Sequence, residues 1–241
     1  MSDLPECLVI LDLDDTLYLE KDYVLSGFKA VSDFIAKKVA LSPKSLYSLL
    51  VKNFENGVRG NNFDLVLKEF DIPTSSISVE ELVQVYRSHQ PLISISSDVK
   101  VLLEFLAINS SRYIICLVSD GLPFQQHKKI DSLGIRSFFQ KIIITNELGG
   151  VEYNKPNPYV FRLLMNEYSI PPHCIIIIAD NPLKDFIGPN KLGIHTIRIQ
   201  KPEGIYSEID AESPVAAASQ SITSMEQAIP IIQRMCCNKD K

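Results

Sequence analysis

Apolar residues follow two different rhythms along the chain. Cys7 to Leu11 is a short unbroken apolar run that stops at acidic residues, and its length and β-branched content predict a buried strand rather than a helix. From Tyr23 to about Gln90 the rhythm is helical. Val24, Phe28, Val31 and Ile35, then Leu46, Leu49 and Leu50, then Phe63, Val66, Leu67 and Phe70 share faces at helical spacing. The punctuation agrees: Ser42 before Pro43 reads as a cap with a first-turn proline, and Ser78 with Glu81 reads as a capping box.

After Pro91 strands and helices alternate. The pattern predicts a helix over about Asp98–Asn109, a strand Tyr113–Val118, a helix about Pro123–Leu133 and a strand Lys141–Thr145. It continues with a helix about Pro158–Tyr168, a strand Cys174–Ala179, a helix about Pro182–Leu192 and a strand Thr196–Ile199. Ala211–Gln220 reads as loop and Met225–Met235 as a last helix. This order predicts an α/β fold with a parallel sheet covered on both faces, and ligands then belong beyond the carboxyl ends of the strands.

Composition narrows the function classes. The 241 residues are 46% hydrophobic and 22% charged with a net charge of -5, which suits a globular enzyme and offers no basic field for nucleic acid. The longest apolar runs fall short of the roughly 20 residues that span a bilayer. MSDLPEC lacks the basic and apolar stretches of an export signal, so the expectation is a cytoplasmic, soluble protein. Cys7, Cys116, Cys174, Cys236 and Cys237 show no zinc or C-x-x-C spacing and read as free thiols, the last two in a flexible tail.

Four groups of polar residues stand at strand ends or helix starts, and each has a plain structural reading beside a chemical one. Asp12, Asp14 and Thr16 in LDLDDTLY could form a capping turn. Chemically, Asp12 could attack phosphorus, and Asp14 could protonate the leaving oxygen and then deprotonate water. Ser119 in LVSDG could cap a helix, or its hydroxyl and the amides of Asp120 and Gly121 could hold a phosphate oxygen. Lys155 in NKPNP could be a solvated lysine or the cation that neutralises nucleophile and phosphoryl group. Asp180, Asn181 and Asp185 in ADNPLKD could be a cap and a surface acid. As a magnesium site, Asp12 and Asp180 would give carboxylates and Asp14 its main-chain carbonyl, with Asn181 and Asp185 one layer out. That all four groups fall on one sheet edge makes coincidence a poor account.

Together these residues resemble the four signature motifs of the haloacid-dehalogenase-like superfamily: D-x-D-x-T as Asp12, Asp14 and Thr16, the hydroxyl as Ser119, the lysine as Lys155, and G-D-x-x-x-x-D as Asp180 and Asp185. The match spans about Cys7 to Ile199. It implies a Rossmann-like catalytic core over residues 1–20 and 92–241, Mg2+ as cofactor, and a helical cap over 21–91 that selects the substrate. Ala179 replaces the usual glycine of the fourth motif, and Asp120 stands where asparagine is common. Dehalogenases of this family generally lack an aspartate at the position of Asp14, so its presence favours phosphoryl chemistry.

The expected activity is hydrolysis of a small phosphomonoester, a sugar phosphate or nucleotide, through an aspartyl-phosphate. A sugar phosphomutase, a non-catalytic phosphate-ligand sensor and a regulatory protein that binds a partner helix are the alternatives. Tyr18, Lys21, Asp22, Arg59 and Asn62 are candidates for substrate selection, and His173 reads as structural. Oligomeric state is not legible.

Overall fold

In the computed structural model, which describes residues 6–236, the unbroken apolar runs become strands of a single sheet. Its members are β1 (Cys7–Leu11), β2 (Tyr113–Ser119), β3 (Lys141–Ile144), β4 (Ile175–Ala179), β5 (His195–Ile199) and β6 (Gln220–Ile222). They lie in the order β3-β2-β1-β4-β5-β6 and every pairing is parallel, the arrangement of a Rossmann-like fold. β1 is the hinge of this order. Leu11 pairs with Leu117 of β2 on one side and Ile178 of β4 on the other, and the ladder runs on into Asp12, whose amide donates to the Ile178 carbonyl at 3.0 Å. The strand order reverses there, so the crevice beyond β1 and β4 is open for a ligand.

The helices in chain order are α1 (Glu20–Lys38), α2 (Pro43–Glu55), α3 (Asn62–Glu69), α4 (Val79–Ser88), α5 (Ser97–Ile108), α6 (Pro123–Leu133), α7 (Tyr159–Tyr168), α8 (Ile187–Leu192) and α9 (Ala228–Cys236). One sheet face, with Leu8, Ile10, Cys116, Val118 and Ile177, is buried together with Val160, Phe161 and Leu164 of α7. Burying a side chain such as Phe161, worth about 1.5–3 kcal/mol in apolar area, is what holds a helix to such a sheet. Cys7 and Cys116 are buried and Cys174 is half-buried. Cys237 lies outside the described residues, as does the side chain of Cys236. No described helix is long and apolar enough to cross a membrane.

The chain divides into two compact units, one of residues up to Glu20 together with Ser94 onward, the other Lys21–Ile93. The second unit holds most of α1 and all of α2, α3 and α4. Its core is aromatic: Phe28 meets Phe54 edge-on at 6.0 Å and Phe63 at 6.4 Å, and Phe63 meets Tyr86 at 5.9 Å. Ser42 caps α2 by accepting from the Ser45 amide, and Ser78 caps α4 by accepting from the Glu81 amide at 3.2 Å. Glu81 instead sends its carboxylate to Lys38 at 2.6 Å, so the second half of the expected capping box gives way to an ion pair.

Two element assignments differ from the sequence reading. The helix expected from Pro182 begins only at Ile187. Residues 182–186 form a hydrogen-bonded turn instead: the Asn181 side-chain oxygen accepts from the Leu183 amide at 2.9 Å, its own amide donates to Asp185 Oδ2 at 3.0 Å, and the Asp185 amide donates to the Asn181 carbonyl at 3.0 Å. Gln220 to Ile222, where the sequence reading ends its loop at Gln220 and assigns no element to the next two residues, is β6, which pairs Ile199 with Ile222.

Candidate active site

Asp12, Ser119 and Asp180 stand at the carboxyl ends of β1, β2 and β4, and their side chains line a cavity of about 180 Å³. Asp14, Glu20, Lys184 and Tyr206 complete much of its wall. Lys155 comes in from the segment before α7. Its ammonium donates to Asp12 Oδ1 and sits 2.8 Å from Asp185 Oδ1, where the alignment makes an ionic contact rather than a hydrogen bond. Thr16 turns its hydroxyl to the other Asp12 oxygen at 3.4 Å.

Three carboxylates, of Asp12, Asp180 and Asp185, bring oxygens within 4.8 Å of one another, all of them buried. Asp185, placed one layer out by the sequence reading, is therefore in the same cluster. Burial first, and then the charges of Asp185 and Asp12, push the Asp180 carboxyl well above the usual range. Burial also raises Asp12, to about 6, although the Lys155 ammonium pulls it back. Lys155 itself is held well above its ordinary value, because its three acidic neighbours Asp12, Asp185 and Asp120 outweigh its burial. An all-oxygen donor set with excess negative charge fits a hard divalent cation.

Asp14 is held differently from Asp12. Its Oδ1 accepts from Lys129 Nζ at 2.7 Å and from the Tyr18 hydroxyl, and its Oδ2 accepts from Gln126 Nε2 at 2.8 Å. Burial pushes the Asp14 carboxyl up, but the Lys129 ammonium and these hydrogen bonds together hold it below its ordinary value. Glu20 lies nearby, where Lys129 and Lys184 offset its burial only in part. Burial and the charge of Asp14 lift it to about 7.

Asp120, expected to offer its amide, uses its side chain as a brace. Oδ1 accepts from Thr145 Oγ1 at 2.8 Å and from the Lys155 amide at 3.1 Å, while Oδ2 meets Lys184 Nζ at 2.9 Å. The Gly121 amide points to Asn146 Oδ1 at 3.4 Å. Asn181 joins Asp180 to Asp185 through the turn already described.

Asp15 adopts a left-handed conformation, φ 51°, uncommon for a side-chain-bearing residue. Its two oxygens accept from the amides of Glu20 and Ile205, each at 2.8 Å. Lys201 reaches the Thr16 carbonyl at 2.8 Å. Arg198 joins the Asp180 carbonyl at 3.1 Å to the Tyr206 carbonyl at 2.7 Å. The loop after β5 is thereby fastened to the ends of β1 and β4.

Glu20, Gln126, Lys129, Lys184, Arg198 and Tyr206 were not singled out in the sequence. Gln126 and Lys129 left a faint signal, polar residues three apart just after the Ser119 turn, where a helix keeps them on one face. The others are single polar residues in ordinary contexts. Of the residues named for substrate selection, Tyr18 belongs to the cluster around Asp14. Arg59 bonds the Phe54 and Val58 carbonyls and Asn62 bonds Asn53 and the Leu50 carbonyl, all within the helical unit.

A Rossmann-like sheet with carboxylates gathered at the ends of its central strands defines an α/β enzyme that works at a topological switch point. The chain belongs to the haloacid dehalogenase-like hydrolase family, whose model matches residues 9–199. It is 24% identical over 234 residues to the glyceraldehyde 3-phosphate phosphatase of Methanopyrus kandleri, covering 94% of this chain and 97% of that protein. Similarity to the enzyme of the same name from Pyrococcus furiosus is 25% over 234 residues, covering 94% and 93%. Among solved structures, the magnesium-bound HAD hydrolase YfnB of Bacillus subtilis superposes with a TM-score of 0.64 at 17% identity, covering 95% of this chain and 99% of that one. A Deinococcus radiodurans HAD family hydrolase with bound phosphate and sodium also gives 0.64, at 14% identity, covering 98% and 97%.

Proposed function

We propose that the protein is a magnesium-dependent phosphatase that hydrolyses a small phosphomonoester through a phosphorylated Asp12. The observation that carries this reading is the setting of the Asp12 carboxylate, bonded by Lys155 and Thr16 and crowded against Asp180 and Asp185. Asp12 and Asp180, with the Asp14 main-chain carbonyl, would hold the ion, and Asn181 and Asp185 would orient them. Magnesium, when bound, supplies the positive charge that lets a carboxylate approach a phosphate dianion.

In the first step an Asp12 oxygen forms a bond to phosphorus as the bond to the leaving oxygen breaks, and Asp14 gives that oxygen a proton. In the second, Asp14 takes a proton from water, which attacks phosphorus and releases phosphate and a regenerated Asp12. Lys155 orients Asp12 and offsets negative charge on the phosphoryl oxygens. Ser119 donates to one of those oxygens.

Relatives named as glyceraldehyde 3-phosphate phosphatases put a phosphorylated three-carbon aldehyde first among the sugar phosphates to test. The inserted helical unit, between the first and second motifs in the chain, is proposed as a cap that selects the substrate. Phosphate release is measured with magnesium over sugar phosphates and nucleotides, for wild type and Asp12→Asn. Turnover should require the ion and vanish in the variant, a loss of at least about 100-fold. Wild-type rates in Asp12→Asn would refute the assignment, and an isomerised sugar phosphate as product would mark a mutase instead.

A further inference from the structure

Gln126 is a primary amide with two N–H hydrogens, and both are committed. One goes to Asp14 Oδ2 at 2.8 Å and the other to Ser119 Oγ at 2.6 Å. Gln126 is 3% exposed, so these bonds are made away from competing water. One helical turn on, Lys129 is 5% exposed and donates to the second Asp14 oxygen at 2.7 Å. Gly121, with φ 123°, packs against the Gln126 stem, where an added Cβ would meet Cδ at 3.5 Å.

We infer that Gln126, assisted by Lys129, is a positioning residue that sets the proton-transfer carboxyl and the phosphate-binding hydroxyl in register. This rests on the roles proposed above for Asp14 and Ser119. Because the Ser119 oxygen accepts from Gln126, its own O–H, only 3.5 Å and weakly bonded to the Asp120 carbonyl, is directed to donate to a phosphoryl oxygen. The same amide fixes the plane of the Asp14 carboxylate at one oxygen, and Lys129 fixes the other. A fixed distance therefore separates the group that holds the phosphate from the group that serves the leaving oxygen. Neither a lone serine nor a lone aspartate could keep that distance, since each rotates freely about its own side-chain bonds.

The test compares two substrates, glycerol 3-phosphate, whose alkoxide leaves only with a proton, and p-nitrophenyl phosphate, whose phenolate leaves without one. The quantity read is the ratio of their kcat/KM values, which reports phosphoryl transfer to Asp12 and cancels any shared loss of phosphate binding. Gln126→Met should lower this ratio by about tenfold or more. KM should rise for both substrates in Gln126→Met as Ser119 loses its orienting donor. Gln126→Glu keeps the shape but replaces the N–H donor facing Asp14 with an accepting carboxylate oxygen, and it serves as the second variant if methionine impairs folding. In an Asp14→Asn background, Gln126→Met should leave the ratio where Asp14→Asn puts it. A ratio unchanged within about twofold in both Gln126 variants, or a further fall in the Asp14→Asn background, overturns the inference. Asp14→Asn that itself keeps the wild-type ratio removes the proposed role of Asp14, and the positioning role falls with it.

Discussion

Lys155→Met removes an ammonium that touches two buried carboxylates and leaves an apolar chain of similar length. The Lys155 and Asp185 side chains are 0% exposed and that of Asp12 is 6% exposed, so little water can replace the lost charge. Breaking one side of a buried ion pair costs about 3–5 kcal/mol. The sign with pH follows from Asp12, which burial lifts to about 6 even with Lys155 beside it. A carboxyl with a higher pKa folded than unfolded supports the fold while protonated, fully below its unfolded value, and that support fades as pH rises through about 6. At about 1.4 kcal/mol per pKa unit, ionised Asp12 already costs the fold about 3 kcal/mol at neutral pH, and loss of the ammonium enlarges this. Urea unfolding in chelator should therefore show the variant about 3–5 kcal/mol less stable near pH 8, with the gap narrowing toward pH 5 as protons take the place of the ammonium. A gap under about 1 kcal/mol near pH 8, or one equal at both values, would show that Lys155 does not neutralise this cluster.

Magnesium should raise the melting temperature more near pH 8 than near pH 5, because protons compete for Asp12 and Asp180, both raised by burial; a thermal shift independent of pH would count against an ion among these carboxylates. Burial pushes the Cys116 thiol to about 12, so an alkylating agent should label it only on unfolding, and prompt labelling of native protein would contradict its packing. Gly188→Ala would set a Cβ 2.8 Å from the Pro156 carbonyl, next to Lys155. It should cost about 1–3 kcal/mol and lower phosphate release, and full activity with unchanged stability would show that this loop yields freely.

Much of the sheet was readable because its strands are buried on both faces and so are written as unbroken apolar runs. β2, β4 and β5 fall within a residue of their expected limits. β6 escaped because three residues, Gln-Ser-Ile, carry no run, and only its pairing with β5 makes it a strand. The early start expected for α8 is met only by a separate turn over 182–186, which Asn181 and Asp185 close with side-chain bonds to the backbone before the helix begins at Ile187. At the site, residues that follow strands directly could be placed from order alone, and the structure brings Asp12, Asp180, Asp185 and Lys155 together. Gln126, Lys129, Lys184 and Tyr206 could not be placed so. Gln126 and Lys129 meet Asp14 across 112 and 115 positions and Lys184 meets Asp120 across 64, and no spacing encodes those meetings.

Asp15, just after the two acids for which chemistry is proposed, is no mere spacer. By gripping Ile205, 190 positions further on, it makes the first motif and the loop bearing Tyr206 a single mechanical piece. Gly204 lies against that grip, where an added Cβ would come within 3.7 Å of the Asp15 carboxyl carbon. Changes near the far end of the chain can thus retune the reaction centre without contributing an atom to it.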